Sequence, residues 1–322
     1  MSKVKGIVSV IFLAFGILFA CTAGSALGVN DQREETAQPH NFCCSEDFPD
    51  LFLTSPYLAG ESVSEIQDVL LKLGYYQGTP SGVYDEKTTR AVKVFQNRCG
   101  LPADGIVKYH VWLKLAQKVE NVFTATALPA PPGEVSIVID VFRLKLIIFS
   151  DGAPYAQFPV AIGKEKTPSP IGNWRIAQKD IAQRKEFGSR WMGLSVPWGR
   201  YGIHGTNKPW SIGSMASHGC FRMRNKDVET IYPWVKVGTP VTVLGNPFGY
   251  RYRGLQEISP SESGPAICYI QNRLSRRGFY KGKADGVFGP ATLKALTEFR
   301  KANKLKKTDS VNNDIYQALG IK

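Results

Sequence analysis

Two kinds of apolar periodicity divide this 322-residue chain. Near both ends, apolar residues recur every three or four positions, as on one face of a helix, and glycines end the helices. In the middle, short β-branched and aliphatic runs predict strands. The predicted strands are 135–139, 144–149, 157–162, 174–177, 199–204 and 240–244, with a helix over 226–235. The pattern predicts a multidomain protein, with a mainly β domain between two small all-α domains.

The two helical ends are copies of one another. Shifting the first by 204 positions aligns it on the second without a gap and matches Phe95 with Phe299, among many other positions. Such self-similarity indicates an internal repeat. The copies differ in one loop, where Ser81 of the first stands opposite Asp285 of the second. We expect the loss of this carboxylate to weaken the first copy's loop or its contact with a ligand.

Polar and Pro-, Gly- and Ser-rich stretches separate these segments and set the predicted domain boundaries. Residues 124–133 carry several prolines, which is typical of a stiff linker with a polyproline bias. The predicted domains are 55–118 and 264–322, both all-α, and 134–245, mainly β. The predicted linkers are 28–54, 119–133 and 246–263.

The amino terminus has the pattern of an export signal. Lys3 and Lys5 precede an apolar run over residues 6–20, as in the charged and apolar parts of a secretory signal. This run is short for a membrane span, which needs about 20 residues. The sequence around Cys21 resembles a bacterial lipobox, so residues 1–27 are either a cleaved signal or a lipoprotein anchor. The expected location is extracytoplasmic, in the cell wall or at the outer face of the membrane.

Composition narrows the classes of partner. A formal net charge of +13 is compatible with nucleic acid, an anionic membrane or an anionic wall polymer. The chain has no basic run interleaved with aromatic residues and no nucleic-acid-binding motif, so nucleic acid is disfavoured. Six cysteines in an exported protein allow disulfides, but the sequence does not determine their pairing. Simple burial is the expectation for Cys99 and Cys268.

One stretch holds the parts of a nucleophilic active site. Cys220 supplies a thiolate, and His204 supplies a base that takes the proton and stays as an imidazolium. The backbone N–H groups of Gly219 and Cys220 are candidate donors to an oxyanion. A zinc site is an alternative, since His204, His218 and Cys220 are all ligand types for zinc. Two of the three stand at i and i+2 and no fourth ligand lies nearby, so we expect neither a metal nor a cofactor.

This stretch resembles the catalytic motif of the L,D-transpeptidase family of the YkuD type. That motif is a His, a short loop containing glycine and serine, and then Ser/Thr/Lys-His/Lys-Gly-Cys-hydrophobic-Arg/Asn, which residues 204–207 and 217–222 match in order and spacing. Residues 167–172 resemble the family's upstream Thr-Pro-x-Gly turn, enlarged by two residues. The match covers 134–245. Both repeats resemble the peptidoglycan-binding domain of the three-helix type.

The resemblance implies an acyl-transfer reaction on peptidoglycan. Cys220 would attack the carbonyl of the third residue of a stem tetrapeptide, expel the terminal D-Ala and form an acyl-enzyme. An amine of a neighbouring stem would then take the acyl group and make a 3→3 crosslink. The resemblance further implies a role for the Gly205 backbone carbonyl beside His204, and inhibition by carbapenems. Peptidoglycan stem peptides and the cell wall are the expected partners.

The remaining motif residues are expected to contact the substrate or to shape the loop. These residues are Ser217, His218 and Arg222. Two other functions stay open at the level of sequence. A hydrolase of the same fold would pass the acyl group to water and act as an L,D-carboxypeptidase, and a non-catalytic wall-binding protein would need only the two repeats.

Overall fold

A computed structural model of the chain describes residues 48–122, 128–181, 187–250 and 255–321. Each helical region and the β domain between them has its own apolar core, as the sequence pattern predicted. The predicted signal or anchor, with Cys21, lies outside the described residues. Among the residues that are described, no helix is long and apolar enough to cross a membrane.

The first helical region contains α1 (Glu61–Lys72), α2 (Glu86–Arg98) and α3 (Tyr109–Val122). Ile66 and Leu70 on α1 are fully buried, which accounts for the helical spacing of the apolar residues. The side chain of Asp85 caps α2 and accepts a hydrogen bond from the Thr88 N–H at 2.8 Å.

The β domain is built on a sheet that, within the described residues, has eight strands in the order β3-β2-β1-β10-β5-β6-β7-β9. A separate pair, β4 and β8, runs parallel. A short helix, α4 (Asn225–Ile231), follows β9. The strands are β1 (Val135–Asp140), β2 (Lys145–Ser150), β3 (Ala153–Pro159), β4 (Ile162–Gly163), β5 (Gly172–Ile181), β6 (Arg190–Leu194), β7 (Gly202–His204), β8 (Met215–Ser217), β9 (Phe221–Arg222) and β10 (Pro240–Leu244).

The sequence predictions differ from this architecture at several elements. The predicted strand 157–162 is divided, because β3 ends at Pro159 and β4 begins at Ile162. The predicted helix 226–235 ends early, at Ile231, because Pro233 has no backbone N–H to continue the helical hydrogen bonds. Strand β6 was not predicted: residues 191–194 are all buried, so they show no polar alternation, and they include a glycine.

The second helical region contains α5 (Pro265–Arg276), α6 (Pro290–Ala302) and α7 (Asn313–Ala318). One of its loops packs against the β domain at Gly286, where an added Cβ would overlap the Trp198 ring. Cys99 and Cys268 are half-buried and form no disulfide in the part of the chain that the structure describes. Cys43 and Cys44 lie outside the described residues.

The loop difference between the repeats has a simple structural basis. In the second copy, Asp285 accepts hydrogen bonds from Gln271 Nε2 at 2.7 Å and from the Val287 N–H at 2.9 Å. In the first copy, the Ser81 hydroxyl accepts the two corresponding hydrogen bonds at 3.2 and 3.3 Å. Ser81 therefore keeps the loop's hydrogen-bond pattern, with longer contacts and no charge.

Candidate active site

Parallel pairing of β7 with β9 brings the two halves of the motif together. The register places His204 opposite Arg222, and the Met223 N–H donates to the His204 carbonyl at 2.8 Å. Cys220 immediately precedes β9. The candidate base therefore ends one strand while the candidate nucleophile enters the neighbouring one, and both side chains are fully buried.

Two aromatic rings pack against both of these residues. The ring centroids of Phe187 and Trp191 lie 5.4 and 5.6 Å from that of His204. Cys220 packs in the same small cluster with Trp191 and Phe187. The low dielectric of such a wall disfavours charge on either the thiol or the imidazole and strengthens electrostatic interactions between them.

The hydrogen bonding of His204 fixes its tautomer. Its Nδ1 donates to the Gly205 carbonyl oxygen at 2.5 Å. Its Nε2 is buried and has no hydrogen-bond partner among the described residues. A neutral imidazole protonated at Nδ1 presents a lone pair at Nε2, so this nitrogen is the one that can accept a proton.

The surroundings of His204 keep it neutral. Burial lowers its pKa from 6.5 to about 3, the positive charge of Arg222 acts in the same direction, and the hydrogen bond to Gly205 opposes them. The sequence suggested a standing imidazolium beside a thiolate, and the structure differs because the apolar wall and Arg222 both disfavour that cation. His204 is therefore a neutral imidazole whose Nε2 is able to accept a proton.

The loop before Cys220 is tightly hydrogen-bonded within itself. The Ser217 hydroxyl donates to the Cys220 carbonyl at 2.6 Å and accepts from the Gly219 N–H at 3.0 Å. Gly219 has φ +115°, and a Cβ there would lie 2.6 Å from the Tyr201 ring. Ser217, expected to contact substrate, is thus buried in the loop, and the Gly219 N–H, expected in the oxyanion hole, is engaged by Ser217.

The predicted turn at 167–172 packs against this loop. The Thr167 hydroxyl donates to the Ser217 carbonyl at 3.2 Å, and the Lys164 N–H donates to the same carbonyl at 2.8 Å. The Ser169 hydroxyl accepts from the Gly163 N–H at 3.0 Å. The turn therefore supports the strand that leads into the Cys220 loop.

His218 and Arg222 line one side of a cavity of about 370 Å³. His218 is exposed there, whereas Arg222 is only 4% exposed. The thiol of Cys220 lies 3.9 Å from the Arg200 carbonyl oxygen, which can accept its proton as a weak hydrogen bond. His218 and Arg222 thus bring an imidazole and a guanidinium to a cavity close to the Cys220 loop.

Sequence reasoning missed Asn225, which holds the segment after the candidate base. Its Oδ1 accepts from the Ser189 N–H at 3.0 Å, and its Nδ2 donates to the Thr206 carbonyl at 3.0 Å. Nδ2 also lies 3.2 Å from a carboxylate oxygen of Glu120 on α3. An Asn at the start of a helix looks like an ordinary capping residue, so no sequence signal marked it.

Family comparisons agree with this architecture. A model of the L,D-transpeptidase catalytic domain matches residues 134–243, and a model of a peptidoglycan binding domain matches 59–115 and 263–319. The Bacillus subtilis protein YkuD is 44% identical over 119 residues, which cover 36% of this chain and 70% of that protein. Bacillus subtilis YqjB is 30% identical over 127 residues, which cover 35% of this chain and 72% of that protein. The names of both assign them to the L,D-transpeptidases.

Solved structures give a weaker likeness. An L,D-transpeptidase from Mycobacterium smegmatis is 25% identical with a TM-score of 0.30, over 35% of this chain and 59% of that one. One from Xylanimonas cellulosilytica is 22% identical with a TM-score of 0.29, over 62% and 98%. The family assignment rests on the sequence matches. The protein has a transpeptidase-type β domain between two repeats of the peptidoglycan-binding type. The chain belongs to the L,D-transpeptidase family.

Proposed function

We propose that the protein is an exported L,D-transpeptidase that forms 3→3 peptidoglycan crosslinks through a cysteinyl acyl-enzyme. The observation that supports this most is the buried His204, with Nδ1 held by the Gly205 carbonyl and Nε2 open, on the strand beside Cys220. A neutral base next to a thiol is what nucleophilic catalysis by cysteine requires.

The proposed reaction has two acyl transfers. In the first, His204 Nε2 takes the thiol proton while Cys220 Sγ bonds to the carbonyl carbon of the third stem residue. The tetrahedral intermediate collapses, the bond to D-Ala breaks, and His204 returns the proton to the leaving amine. In the second, an amine of a neighbouring stem attacks the thioester and loses a proton to His204, which restores the Cys220 thiol. The Cys220 N–H is our candidate donor to the oxyanion.

His218 and Arg222 are proposed to act on the substrate side. Both line the cavity next to the Cys220 loop, and a planar guanidinium suits a carboxylate. Arg222 also lies opposite His204 in the strand pair and lowers its pKa. We assign Arg222 two roles, which are to hold a substrate carboxylate and to keep the base neutral before the reaction.

The repeats and the charge support a location at the cell wall. Two peptidoglycan-binding repeats on one chain raise the effective concentration of the catalytic domain at the polymer. The net charge of +13 favours an anionic wall. Sequencing of the mature amino terminus, together with mass spectrometry to detect a lipid on Cys21, distinguishes a cleaved signal from a lipid anchor.

The central test is Cys220→Ala on the full chain with purified tetrapeptide muropeptides. We expect wild type to yield crosslinked dimers that have lost one D-Ala, and Cys220→Ala to yield none and to form no covalent carbapenem adduct. Cys268→Ala is the matched control, since that thiol is half-buried in the second repeat and should leave the products unchanged. Mass spectrometry reads both the products and the adduct.

Other outcomes would change the assignment. Release of D-Ala with tripeptide as the end product would make the protein an L,D-carboxypeptidase, with water as acceptor. Retention on insoluble peptidoglycan without any product would leave a wall-binding protein. A covalent adduct on Cys220→Ala would rule out Cys220 as the nucleophile.

A further inference from the structure

Helix α1 of the first repeat is bonded to the segment that joins the two halves of the catalytic motif. The Glu65 carboxylate accepts hydrogen bonds from Lys208 Nζ at 2.9 Å and from Trp210 Nε1 at 2.8 Å. The side chains of this ion pair are largely buried, with Lys208 8% and Glu65 22% exposed. Water therefore screens the pair much less than a surface pair, and loss of one partner would strand a charge.

Trp210 belongs to both domains. It follows His204 in the sequence, yet its ring packs in the core of the first repeat and stacks on Trp112 with centroids 5.8 Å apart. Lys72 of α1 donates to the Trp210 carbonyl at 3.4 Å. The repeat is thus docked on the catalytic domain by an apolar anchor together with charged contacts.

The same helix forms a wall of the cavity that contains His218 and Arg222. Glu61 and Asp68 of α1 line the cavity on the side of the repeat. Glu61 forms an ion pair with Lys164, and the positive charge of His218 also contributes to lowering the pKa of the Glu61 carboxyl. The cavity therefore has the carboxylates of α1, together with Lys72, on the side of the repeat, and His218, Arg222 and Lys164 on the side of the catalytic domain.

Comparison of the repeats shows that their fold does not need this acidic face. At the repeat spacing, the core residue Ile66 matches Ile270, and both are fully buried. The three acidic positions are not kept. Glu61, Glu65 and Asp68 of α1 correspond to Pro265, Tyr269 and Asn272 of α5. Only the copy that borders the cavity with His218 and Arg222 carries carboxylates at these positions.

We infer that α1 is a wall of the substrate cleft, and that Glu65 is a positioning residue that holds it there. In this arrangement Asp68 and Glu61 contact a stem peptide bound beside His218 and Arg222. A cleft lined by both carboxylates and cations suits a ligand that carries both an ammonium and a carboxylate, as a stem peptide does. The inference rests on the proposed function and adds substrate binding to the first repeat's role.

Kinetics with a soluble muropeptide test this directly, because retention on the wall plays no part in that assay. For Asp68→Asn we expect KM to rise about three- to tenfold, while kcat changes less than about twofold, since a lost ground-state contact affects binding and not chemistry. Glu65→Ala should raise KM at least as much. Glu65→Gln keeps the hydrogen bond from the Trp210 indole, so its KM should lie between those of wild type and Glu65→Ala. The matched controls are Glu86→Gln on α2 and Asn272→Ala on α5, both expected at wild-type KM.

Binding in the Cys220→Ala background separates this inference from the proposed reaction. Calorimetry with the tetrapeptide should show the same rise in Kd for Asp68→Asn, whether or not the wild type turns over. If wild type makes no product but the Kd still shifts, the proposed reaction fails and the cleft wall stands. If product forms while KM and Kd stay at wild-type values in Asp68→Asn, α1 is not part of the cleft. Asp68 is exposed, so this variant decides the matter even if Glu65→Ala does not fold.

Discussion

The titration of His204 links the chemistry of the site to the stability of the fold. The folded-state pKa is about 3, against 6.5 for an unperturbed histidine. Between these values the unfolded chain binds a proton that the folded chain does not. The contribution of His204 to the free energy of unfolding is therefore fully present above pH 6.5. As the pH falls from 6.5 towards 3, the free energy of unfolding decreases by roughly 1.4 kcal/mol for each pH unit.

His204→Gln should remove this part of the pH dependence. We expect the free energy of unfolding of the catalytic domain to fall less steeply below pH 6.5 in His204→Gln than in wild type. Urea unfolding at a series of pH values, followed by a probe in the β domain, gives both slopes. Equal slopes would mean that the imidazole is not held in its neutral form. The pH profile of the wild-type acylation rate should likewise show no inflection near pH 6.5.

At the scale of single elements, the two repeats allow a pair of reciprocal substitutions in the same loop. Asp285 and Ser81 fill the same place in the same loop, but the carboxylate makes the shorter contacts. A charged acceptor strengthens a hydrogen bond to a backbone N–H. We expect Asp285→Ser to cost the second repeat about 1 kcal/mol, and Ser81→Asp to stabilise the first by about 0.5 kcal/mol.

Hydrogen exchange at two backbone amides measures both changes on the full chain. The N–H groups of Val83 and Val287 donate to Ser81 and Asp285, so each amide reports on its own loop. Exchange should slow at Val83 in Ser81→Asp and quicken at Val287 in Asp285→Ser. Each variant serves as the other's control, because the unchanged repeat should exchange as in wild type. Faster exchange at Val83 would show that the first loop is built for a neutral side chain.

Sequence patterns predicted the elements that have a period or a copy. The repeats were found because their buried positions recur in register, and β10 because its buried valines alternate with less buried residues. Strand β6 was missed because burial on both faces leaves no alternation. The docking of α1 was also missed, since Glu65 and Lys208 are separated by 143 positions and neither belongs to a periodic pattern. Charge pairing between separate domains depends on tertiary geometry, which a single sequence does not show.

At the scale of the whole molecule, Trp210 couples the stability of two domains. It is 7% exposed, lies in the catalytic domain's sequence and packs in the first repeat's core. Replacing a buried Trp by Ala typically costs about 3–5 kcal/mol. We expect Trp210→Ala to speed hydrogen exchange in α1 and α3, although the substitution lies outside the repeat.

The control is Trp234→Ala, which removes a partly buried ring from another part of the β domain. It should leave exchange in α1 and α3 at the wild-type rate while loosening its own surroundings. Mass spectrometry of peptides from both regions reads the two variants in parallel. Unchanged exchange in α1 and α3 after Trp210→Ala would mean that the repeat folds without help from the catalytic domain.

The contacts of the two repeats also bear on the order of modules along the chain. If the repeats traded places, the length and the composition of the chain would be retained. The Trp198 ring would still contact a glycine, because Gly82 corresponds to Gly286. Lys208 would instead contact Tyr269 in place of Glu65, and its largely buried ammonium would lose its carboxylate partner. The contact at Trp198 therefore accepts either copy, whereas the contact at Lys208 is selective, so the ion pair with Glu65 fixes the order of the two repeats along the chain.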